Sequence, residues 1–283
     1  MPSKKSQKTT PPSTYMPRIV SGKGNLFVIS GPSGAGKSAL AKSMCAKMHQ
    51  LTAVVTHTTR PIRPGEVDGV DYHFVTHEEV KGIERNGGFA ESATVYGNRY
   101  GTSREEMEYE LATGTDKVIV SDWQGARTLK EKIAGAVTIY ILPPSAETLR
   151  GRLSNRDTDT DETIDARMGE ASSQIAHYTE YDYLVVNDRL FHATEEACGI
   201  IHAVRACRLL AGFESHVDKH LLDKAKRAVE QIACLTVQDQ CERHKSLIES
   251  LLSPVPVGRG KPVHENAMSE EDYKSIACHC FYG

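Results

Sequence analysis

The sequence predicts an α/β fold built on a parallel sheet with helices on both faces. Apolar runs typical of buried strands alternate with segments typical of helices, and strands joined by helical crossovers run parallel. The first apolar run, Leu26–Ile29, leads directly into a glycine-rich loop at residues 31–38, and the helix-favouring residues Ala39–Lys42 follow it. This order of strand, loop and helix indicates a sheet whose first loop faces a ligand.

The remaining elements continue the alternation. Strands are expected at Ala53–Val55, Tyr72–Val75, Lys117–Val120, Val137–Leu142 and Tyr183–Val186. Helices are expected at Arg104–Thr113, Ala126–Lys132 and Ser145–Arg156, and in two segments that end near His177 and near Leu210. Pro143-Pro144 ends the strand before it, because proline cannot donate a hydrogen bond to a sheet.

The glycine-rich loop has the complete pattern G-x-x-x-x-G-K-[ST]. Its glycines let successive backbone N–H groups point at phosphate oxygens, and the following helix N-terminus adds a positive dipole end. A glycine turn without a ligand has no need of Lys-Ser after its last glycine. The predicted ATP-binding residues are therefore Gly31, Pro32, Ser33, Gly34, Ala35, Gly36, Lys37 and Ser38. Lys37 is expected to act on the β- and γ-phosphates and the Ser38 hydroxyl to ligate Mg²⁺.

The composition is that of a soluble globular protein, with 39 % apolar and 25 % charged residues and a net charge of −3. No apolar run reaches the ~20 residues of a membrane span, and the N-terminus lacks the apolar core of a secretory signal. The seven cysteines are odd in number and scattered, which suits reduced thiols. We expect a cytoplasmic protein that binds neither membranes nor nucleic acid.

Residues 1–23 form a basic leader that carries Lys and Arg but no acidic residue. The leader is rich in Ser, Thr, Pro and Lys and has no apolar periodicity, so we expect it to be disordered. A nucleic-acid-binding arm and a transit peptide are the alternatives, and the scarcity of arginine disfavours both.

Seven motifs between residues 24 and 210 together resemble the guanylate kinases, particularly the bacterial type. Besides the loop they are Thr58–Glu66, Gly69–Val75, Gly97–Thr102, Asp122–Ala126, Leu142–Ser145 and Val186–Asp188. The resemblance implies a P-loop parallel sheet core flanked by helices at residues 24–211. It also implies an inserted mixed α/β GMP-binding segment at about 57–103 and a helical lid at about 150–168. The implied reaction is Mg²⁺-dependent phosphate transfer from ATP to GMP or dGMP.

The acceptor phosphate is expected to lie among arginines. A phosphate oxygen is already anionic near neutral pH, so the reaction needs positioning and neutralisation rather than a general base. The resemblance assigns the GMP phosphate to Arg60 and Arg63, whose planar guanidinium groups suit phosphate. It adds the hydroxyls of Tyr72 and Tyr100. Half-buried packing is the alternative role of the two tyrosines.

The base is expected to meet a carboxylate and hydroxyls. Guanine presents adjacent N–H donors, which suit a carboxylate, and an O6 acceptor, which suits a hydroxyl. The resemblance assigns the carboxylate to Glu91 and hydroxyls to Thr56 and Thr102, and it places Asp122 facing the GMP site. Adenine lacks the matching donors, so such a site discriminates against it.

The lid is expected to supply further cations. The resemblance implies that Arg152, Arg156 and Arg167 bridge the two nucleotides' phosphates when the lid closes, which limits hydrolysis of ATP by water. Arg152 and Arg156 are four residues apart and share a helix face. A solvated helix with an acidic loop is the alternative. Asn187 resembles the family residue that contacts the adenine end of ATP.

One position departs from the family pattern. The family usually has an acid two residues before the aspartate that corresponds to Asp122, and this chain has Val120 there. The missing acid is expected to touch the water shell of Mg²⁺, and losing such a carboxylate typically costs 10–100-fold in metal affinity or activity. We expect reduced activity or an unusual Mg²⁺ requirement.

Residues 212–283 lie beyond the resemblance and are expected to form a mostly helical extension. Apolar residues recur at helical spacing between Glu214 and Leu252, and Ser253-Pro254 ends the pattern. The extension packs either on its own domain or on a second subunit, so a homo-oligomer stays open. The zinc alternative, with Cys241, His244, Cys278, His279 and Cys280, is disfavoured by its spacing.

Three functions follow from these observations. The first is an active guanylate kinase that uses ATP, Mg²⁺ and GMP or dGMP. The second is a catalytically weakened guanylate-kinase-like module that binds nucleotide or protein. Val120 favours this alternative, while Lys37, Ser38 and the arginines oppose it. The third is a phosphotransferase acting on a sugar phosphate, which Glu91 and Thr102 disfavour.

Overall fold

The computed structural model describes residues 23–95, 97–154, 161–213 and 237–252. These residues form a five-stranded sheet and a four-stranded sheet with helices packed around them. Residues 1–22 of the leader lie outside the described residues. The disorder of the leader therefore stays a prediction.

The larger sheet is parallel throughout, as the sequence predicts. Its strands, in spatial order, are β2 (Leu51–Ala53), β7 (Asp116–Val120), β1 (Leu26–Ser30), β8 (Val137–Leu142) and β9 (Tyr183–Val186). Since the strands run parallel, their carboxyl ends share one edge of the sheet. The phosphate loop, Asp122 and Asn187 follow three of these strands and therefore meet at that edge.

Helices cover both faces of this sheet. They are α1 (Lys37–Lys47), α3 (Arg104–Ala112), α4 (Trp123–Lys132), α5 (Ala146–Ser154), α6 (Asp161–Ile175) and α7 (Leu190–Phe213). Alternate residues of a strand point to opposite faces. Phe27 and Ile29 accordingly pack with α1 and α7 in one buried cluster, and Leu26 and Val28 pack with α3 and α4 in the other.

The smaller sheet is formed by residues 57–103. It contains β3 (His57–Thr58), β4 (His73–Phe74), β5 (Phe89–Val95) and β6 (Asn98–Ser103), in the order β4-β3-β6-β5, with helix α2 (His77–Arg85) beside it. The sequence analysis foresaw only one of these strands and missed α2. β3 and β4 are two residues long, β5 intersperses its apolar residues with polar ones, and β6 is largely polar, so none of the four shows a long apolar run.

The extension contains two described helices, α8 (Val237–Arg243) and α9 (Lys245–Leu252). Both helices fall within residues 214–252, whose apolar spacing predicts helices, and residues 214–236 of that segment lie outside the described residues. Ile248 and Leu251 are buried in the same apolar cluster as Val28 and Tyr140 of the large sheet. This part of the extension therefore packs on its own domain. Among the described residues, no helix is both long and apolar enough to span a membrane.

A buried charge network lies at the opposite edge of the large sheet. Asp116 is 3 % exposed and accepts hydrogen bonds from Asn25 N at 2.6 Å, Asn25 Nδ2 at 2.9 Å and Arg205 Nε at 2.8 Å. Arg205 also donates to the carbonyl of His49 at 2.9 Å. The network ties the start of β7 to β1 and to α7.

We predict that Asp116→Ala lowers the free energy of unfolding by about 3 kcal/mol, because it leaves buried donors without their acceptor. Urea unfolding measures the change. Glu108→Ala, at an exposed ion pair with Arg104, is the matched control and should change stability by less than about 0.5 kcal/mol. Equal effects of the two substitutions would contradict a structural role for the network.

Candidate active site

The phosphate loop is held from behind by Asn187. Asn187 is 4 % exposed, and its Nδ2 donates to the Ala35 carbonyl at 2.8 Å. Gly36 has φ = +90°, and a Cβ there would overlap Asn187 Nδ2. Gly36 is therefore required both by its backbone conformation and by this close approach. The contact seen for Asn187 is with the loop backbone, and its Oδ1 is buried without a hydrogen-bond partner.

Lys37 folds over its own loop. Its Nζ donates to the carbonyls of Gly31 at 2.7 Å and Pro32 at 2.9 Å. Ser38, the second residue of α1, forms a side-chain hydrogen bond with Tyr72. This hydrogen bond joins the phosphate loop to the segment that the sequence assigns to GMP.

Arg60, two residues after β3, is a buried cation beside the smaller sheet. Its Nη2 donates to both carboxylate oxygens of Glu66, at 2.8 and 3.0 Å. The guanidinium carbon lies 5.3 Å from the centre of the Tyr72 ring and 5.7 Å from that of Phe74. Burial alone would raise the pKa of Glu66, but the hydrogen bonds from Arg60 and the Arg63 backbone lower it. The buried cation is thus neutralised by one carboxylate.

The other predicted phosphate ligands differ in their contacts. Tyr100 interacts with Arg60 by a side-chain hydrogen bond, and its ring lies 6.1 Å from the ring of Tyr72. Burial raises the pKa of the Tyr72 hydroxyl. Arg63 is exposed and uses its backbone N–H to bond Glu66 at 2.9 Å. The sequence analysis missed Glu66 as the partner of Arg60, although it lies within the quoted motif.

Glu91 presents a buried carboxylate oxygen with no hydrogen-bond partner. The residue is 4 % exposed, its Oε1 accepts from Thr102 Oγ1 at 2.6 Å, and its Oε2 is unpartnered. Burial raises the pKa of this carboxyl to about 7; Asp122 adds to the rise, and the Thr102 hydroxyl and Lys132 oppose it. The Oε2 atom is therefore set to accept from a ligand with N–H donors.

Gly125 leaves room for Glu91. A Cβ on Gly125 would lie 2.5 Å from Glu91 Oε2 and would overlap Ser121 Oγ. The hydroxyl of Thr102 has a single hydrogen, and Glu91 takes it, so Thr102 orients the carboxylate. Thr56, directly before β3, is also buried at 7 % exposure. Sequence reasoning missed Gly125 as a residue that shapes the pocket.

Asp122 connects the two halves of the site. It caps α4, with its Oδ1 accepting from Gly125 N at 2.9 Å and its Oδ2 from Gln124 Nε2 at 3.2 Å. Burial raises the pKa of Asp122, while these hydrogen bonds and the positive charge of Lys37 oppose the rise. Val120, two residues earlier, is half-buried against the apolar cluster of α1 and α7.

The structure places one predicted lid arginine near the phosphate loop. Arg152 Nη2 donates to the carbonyls of Asn187 at 2.9 Å and Asp188 at 3.3 Å, while its Nη1 is buried without a partner. Burial lowers the pKa of Arg152. Arg167 is half-buried on α6. Arg156 lies outside the described residues, and its role stays a prediction.

The geometry agrees with comparisons with known proteins. A family model described as guanylate kinase matches residues 23–204. This chain belongs to the guanylate kinase family. It is 48 % identical over 180 residues to guanylate kinase of Pseudomonas fluorescens (strain Pf0-1), covering 64 % of this chain and 87 % of the relative. With guanylate kinase of Saccharophagus degradans it shares 40 % identity over 230 residues, covering 81 % and 98 % of the two chains.

A solved structure gives the same result. The crystal structure of guanylate kinase from Anaplasma phagocytophilum has 33 % sequence identity and a TM-score of 0.55. The similarity covers 65 % of this chain and 87 % of that one. The P-loop fold predicted from the sequence is thereby confirmed. The family match ends at residue 204, so α8 and α9 of this guanylate kinase lie outside it.

The residues present fit a Mg²⁺–nucleotide complex. Mg²⁺ prefers oxygen ligands and keeps several waters, so one protein hydroxyl together with substrate phosphates can hold it. Ser38 is placed for this at the end of the loop. Among the described residues, no group of three His, Cys, Asp or Glu side chains is close enough to bind a metal by itself. Of the zinc alternative, Cys278, His279 and Cys280 lie outside those residues.

We predict that the Glu91 carboxyl of the free enzyme titrates near pH 7, because burial disfavours its charge. NMR of the side-chain carboxyl carbons measures this, and the signal should vanish in Glu91→Gln. Thr102→Val should move the midpoint to higher pH, because it removes the hydrogen bond that stabilises the carboxylate. A Glu91 midpoint below pH 5 would contradict this assignment.

Proposed function

We propose that this guanylate kinase transfers the γ-phosphate of ATP to GMP, giving ADP and GDP, with ATP at residues 31–38 and GMP on the smaller sheet. The observation that carries the assignment of the acceptor is the buried, unpartnered Oε2 of Glu91. Adjacent N–H donors on guanine would satisfy this oxygen and its neighbour, and adenine has no equivalent pair. Family membership supports the same acceptor.

On the donor side, the loop and Lys37 hold the phosphates. The Lys37 ammonium now bonds two carbonyls of the loop, and these bonds are replaced by phosphate oxygens when ATP binds. The Ser38 hydroxyl would hold Mg²⁺, and the ion would supply charge neutralisation for the substrate phosphates. Asn187 supports the loop through Ala35, so in our proposal it positions the triphosphate in addition to lying near the adenine end.

On the acceptor side, Arg60 exchanges one anion for another. Its guanidinium is paired with Glu66, and the GMP phosphate can accept guanidinium N–H groups through two of its oxygens. The hydroxyls of Tyr72 and Tyr100 lie beside it, and the side chain of Arg63 is free of Glu66, which bonds only its backbone. The pairing with Glu66 holds the Arg60 side chain in place before the substrate arrives, which lowers the entropic cost of binding.

Base selection belongs to Glu91, with Thr102 orienting its carboxylate and Thr56 supplying the hydroxyl for O6. Asp122 interacts electrostatically with both Glu91 and Lys37, so it lies between the base pocket and the phosphate loop on the side of the GMP site. No group of the site is assigned to the ribose 2′-hydroxyl, so dGMP is proposed as a second acceptor.

The arginines of the lid complete the site. Arg152 is anchored at Asn187 and Asp188, with one further donor nitrogen buried and unpartnered, and Arg167 lies on α6. The resemblance adds Arg156, which is outside the described residues. In our proposal the three neutralise the transferred phosphoryl group when the lid closes. A cytoplasmic location is part of the same proposal, and free thiols at the described cysteines are consistent with it.

The proposed function is tested by a coupled assay of ADP formation with ATP and Mg²⁺. GMP should support turnover, and AMP and UMP should not. Glu91→Gln should lower kcat/KM for GMP by at least about 100-fold, because the amide repels one guanine donor in a buried site. GMP binding without turnover would instead favour the nucleotide-binding module.

We predict that the KM for GMP rises as the pH falls below 7. Glu91 has a raised pKa of about 7 in the free enzyme, and guanine binds its ionised form, so below that pH a proton must first be lost. The limiting rise is about tenfold per pH unit. The GMP phosphate also titrates near pH 6, so Glu91→Gln is the control that reports this second effect alone. Parallel profiles for the two enzymes would refute the role of Glu91.

The departure at Val120 gives a separate prediction. Val120→Asp restores a carboxylate at the end of β7, and we expect it to lower the Mg²⁺ concentration needed for half-maximal activity by about 10-fold. Val118→Thr is the control for loss of apolar packing, because Val118 lies two residues earlier on the same face of β7 and belongs to the same cluster. If the wild-type enzyme is fully active at low Mg²⁺ and Val120→Asp has the same activity, the absence of this carboxylate does not affect the Mg²⁺ requirement.

A further inference from the structure

The chain leaves α6 through residues 172–182, which we call the lid-exit segment. The first half of α6 lies in the predicted lid, at about 150–168, and the helix continues to Ile175. A short 3-10 turn, Tyr178–Glu180, follows and leads into β9. Any movement of the lid on this side must therefore be transmitted through the lid-exit segment.

One side of the lid-exit segment contacts α4, the helix that begins directly after Asp122. The imidazole of His177 stacks on the indole of Trp123, with ring centres 3.9 Å apart and planes 8° from parallel. The guanidinium of Arg127 lies 4.9 Å from the same indole ring. Glu180 joins the group, accepting from Arg127 Nε and Nη2 at 3.0 and 2.6 Å and pairing with His177 Nδ1 at 2.7 Å. Trp123 directly follows Asp122 and is the first residue of α4.

The C-terminal helices fix the segment at other points. Ile248 and Leu251 are 4 % and 3 % exposed, and they share an apolar cluster with Ile175. The Ser172 hydroxyl donates to the Leu251 carbonyl at 3.2 Å. The side chains of Tyr178 and Cys241 are also hydrogen-bonded. These contacts come from a part of the chain beyond the family match, which ends at residue 204.

The large sheet supplies a third support. The Tyr140 hydroxyl of β8 donates to the Gln174 carbonyl at 2.8 Å, and the Tyr140 ring meets that of Tyr181 at 4.8 Å. The segment is thus held by α4, by β8 and by the extension.

We propose that the lid-exit segment is a positioning element for phosphate transfer, with His177 and Trp123 as positioning residues on the side of the acceptor site and Leu251 as a positioning residue from the C-terminal extension. The segment fixes the direction from which α6 carries Arg167 toward the phosphates. A displacement of about 1 Å in such a site costs up to 100-fold in rate. The extension is therefore part of the catalytic unit. This inference rests on the proposed function.

Steady-state kinetics of point variants in the full-length chain test the proposal. His177→Ala and Leu251→Ala should each lower kcat at least fivefold while the KM values for ATP and GMP change less than twofold. His177→Phe keeps the stack without the bond to Glu180 and should recover most of kcat. Leu252→Ala is the matched control for Leu251→Ala, because Leu252 is its neighbour and is 39 % exposed; it should behave as wild type.

Hydrogen exchange of peptides covering residues 161–176 gives a second measurement that does not depend on turnover. Exchange should be faster in His177→Ala and Leu251→Ala than in wild type and Leu252→Ala, with circular dichroism showing that each variant is folded. Unchanged exchange in both variants would overturn the proposal whatever the activity. Unchanged kcat, or a rise in KM alone, would overturn it as well. Failure of the proposed function has a different signature, in which the wild-type enzyme itself shows no turnover with GMP.

Discussion

The parallel pairing of β1 with β7 and β8 is the constraint on which the site depends. The carboxyl ends of parallel strands lie at one edge of the sheet. The phosphate loop after β1 and Asp122 after β7 are therefore close in space, although they are far apart in the sequence. β9 adds Asn187 at the same edge, where its side chain bonds the loop at Ala35. The buried apolar residues of both sheet faces supply the stability that keeps these polar groups in place.

The electrostatic pattern of the free enzyme is one of charges held ready for a ligand. Arg60 is paired with Glu66, Lys37 is bonded to carbonyls of its own loop, and Glu91 keeps one oxygen without a partner. Each arrangement avoids an isolated buried charge, either by a substitute partner or by a raised pKa. In the proposed complex, phosphate oxygens replace the present partners of Arg60 and Lys37, and guanine N–H donors meet the ionised Glu91.

The lid and the C-terminal extension meet at one segment of chain. The helix α6 is supported at its carboxyl end by Trp123 and by α9, while its amino end carries the region assigned to the lid. A helix fixed at one end transmits displacement along its length. The extension, which lies beyond the residues that the family model matches, thus contacts the carboxyl end of the helix that carries part of the proposed lid.

The sequence by itself determined the parallel sheet, the phosphate loop and the family, because apolar periodicity and the spacing of glycines and lysine are local properties of the chain. The resemblance to the family, rather than the residue pattern by itself, assigned Arg60, Glu91 and Asp122 to one GMP site. The short strands of the smaller sheet, the pairing of Arg60 with Glu66, the space left by Gly125 and the stack of His177 on Trp123 were decided only by tertiary structure. These features depend on contacts between residues distant in sequence, and neither local periodicity nor residue type encodes such distances.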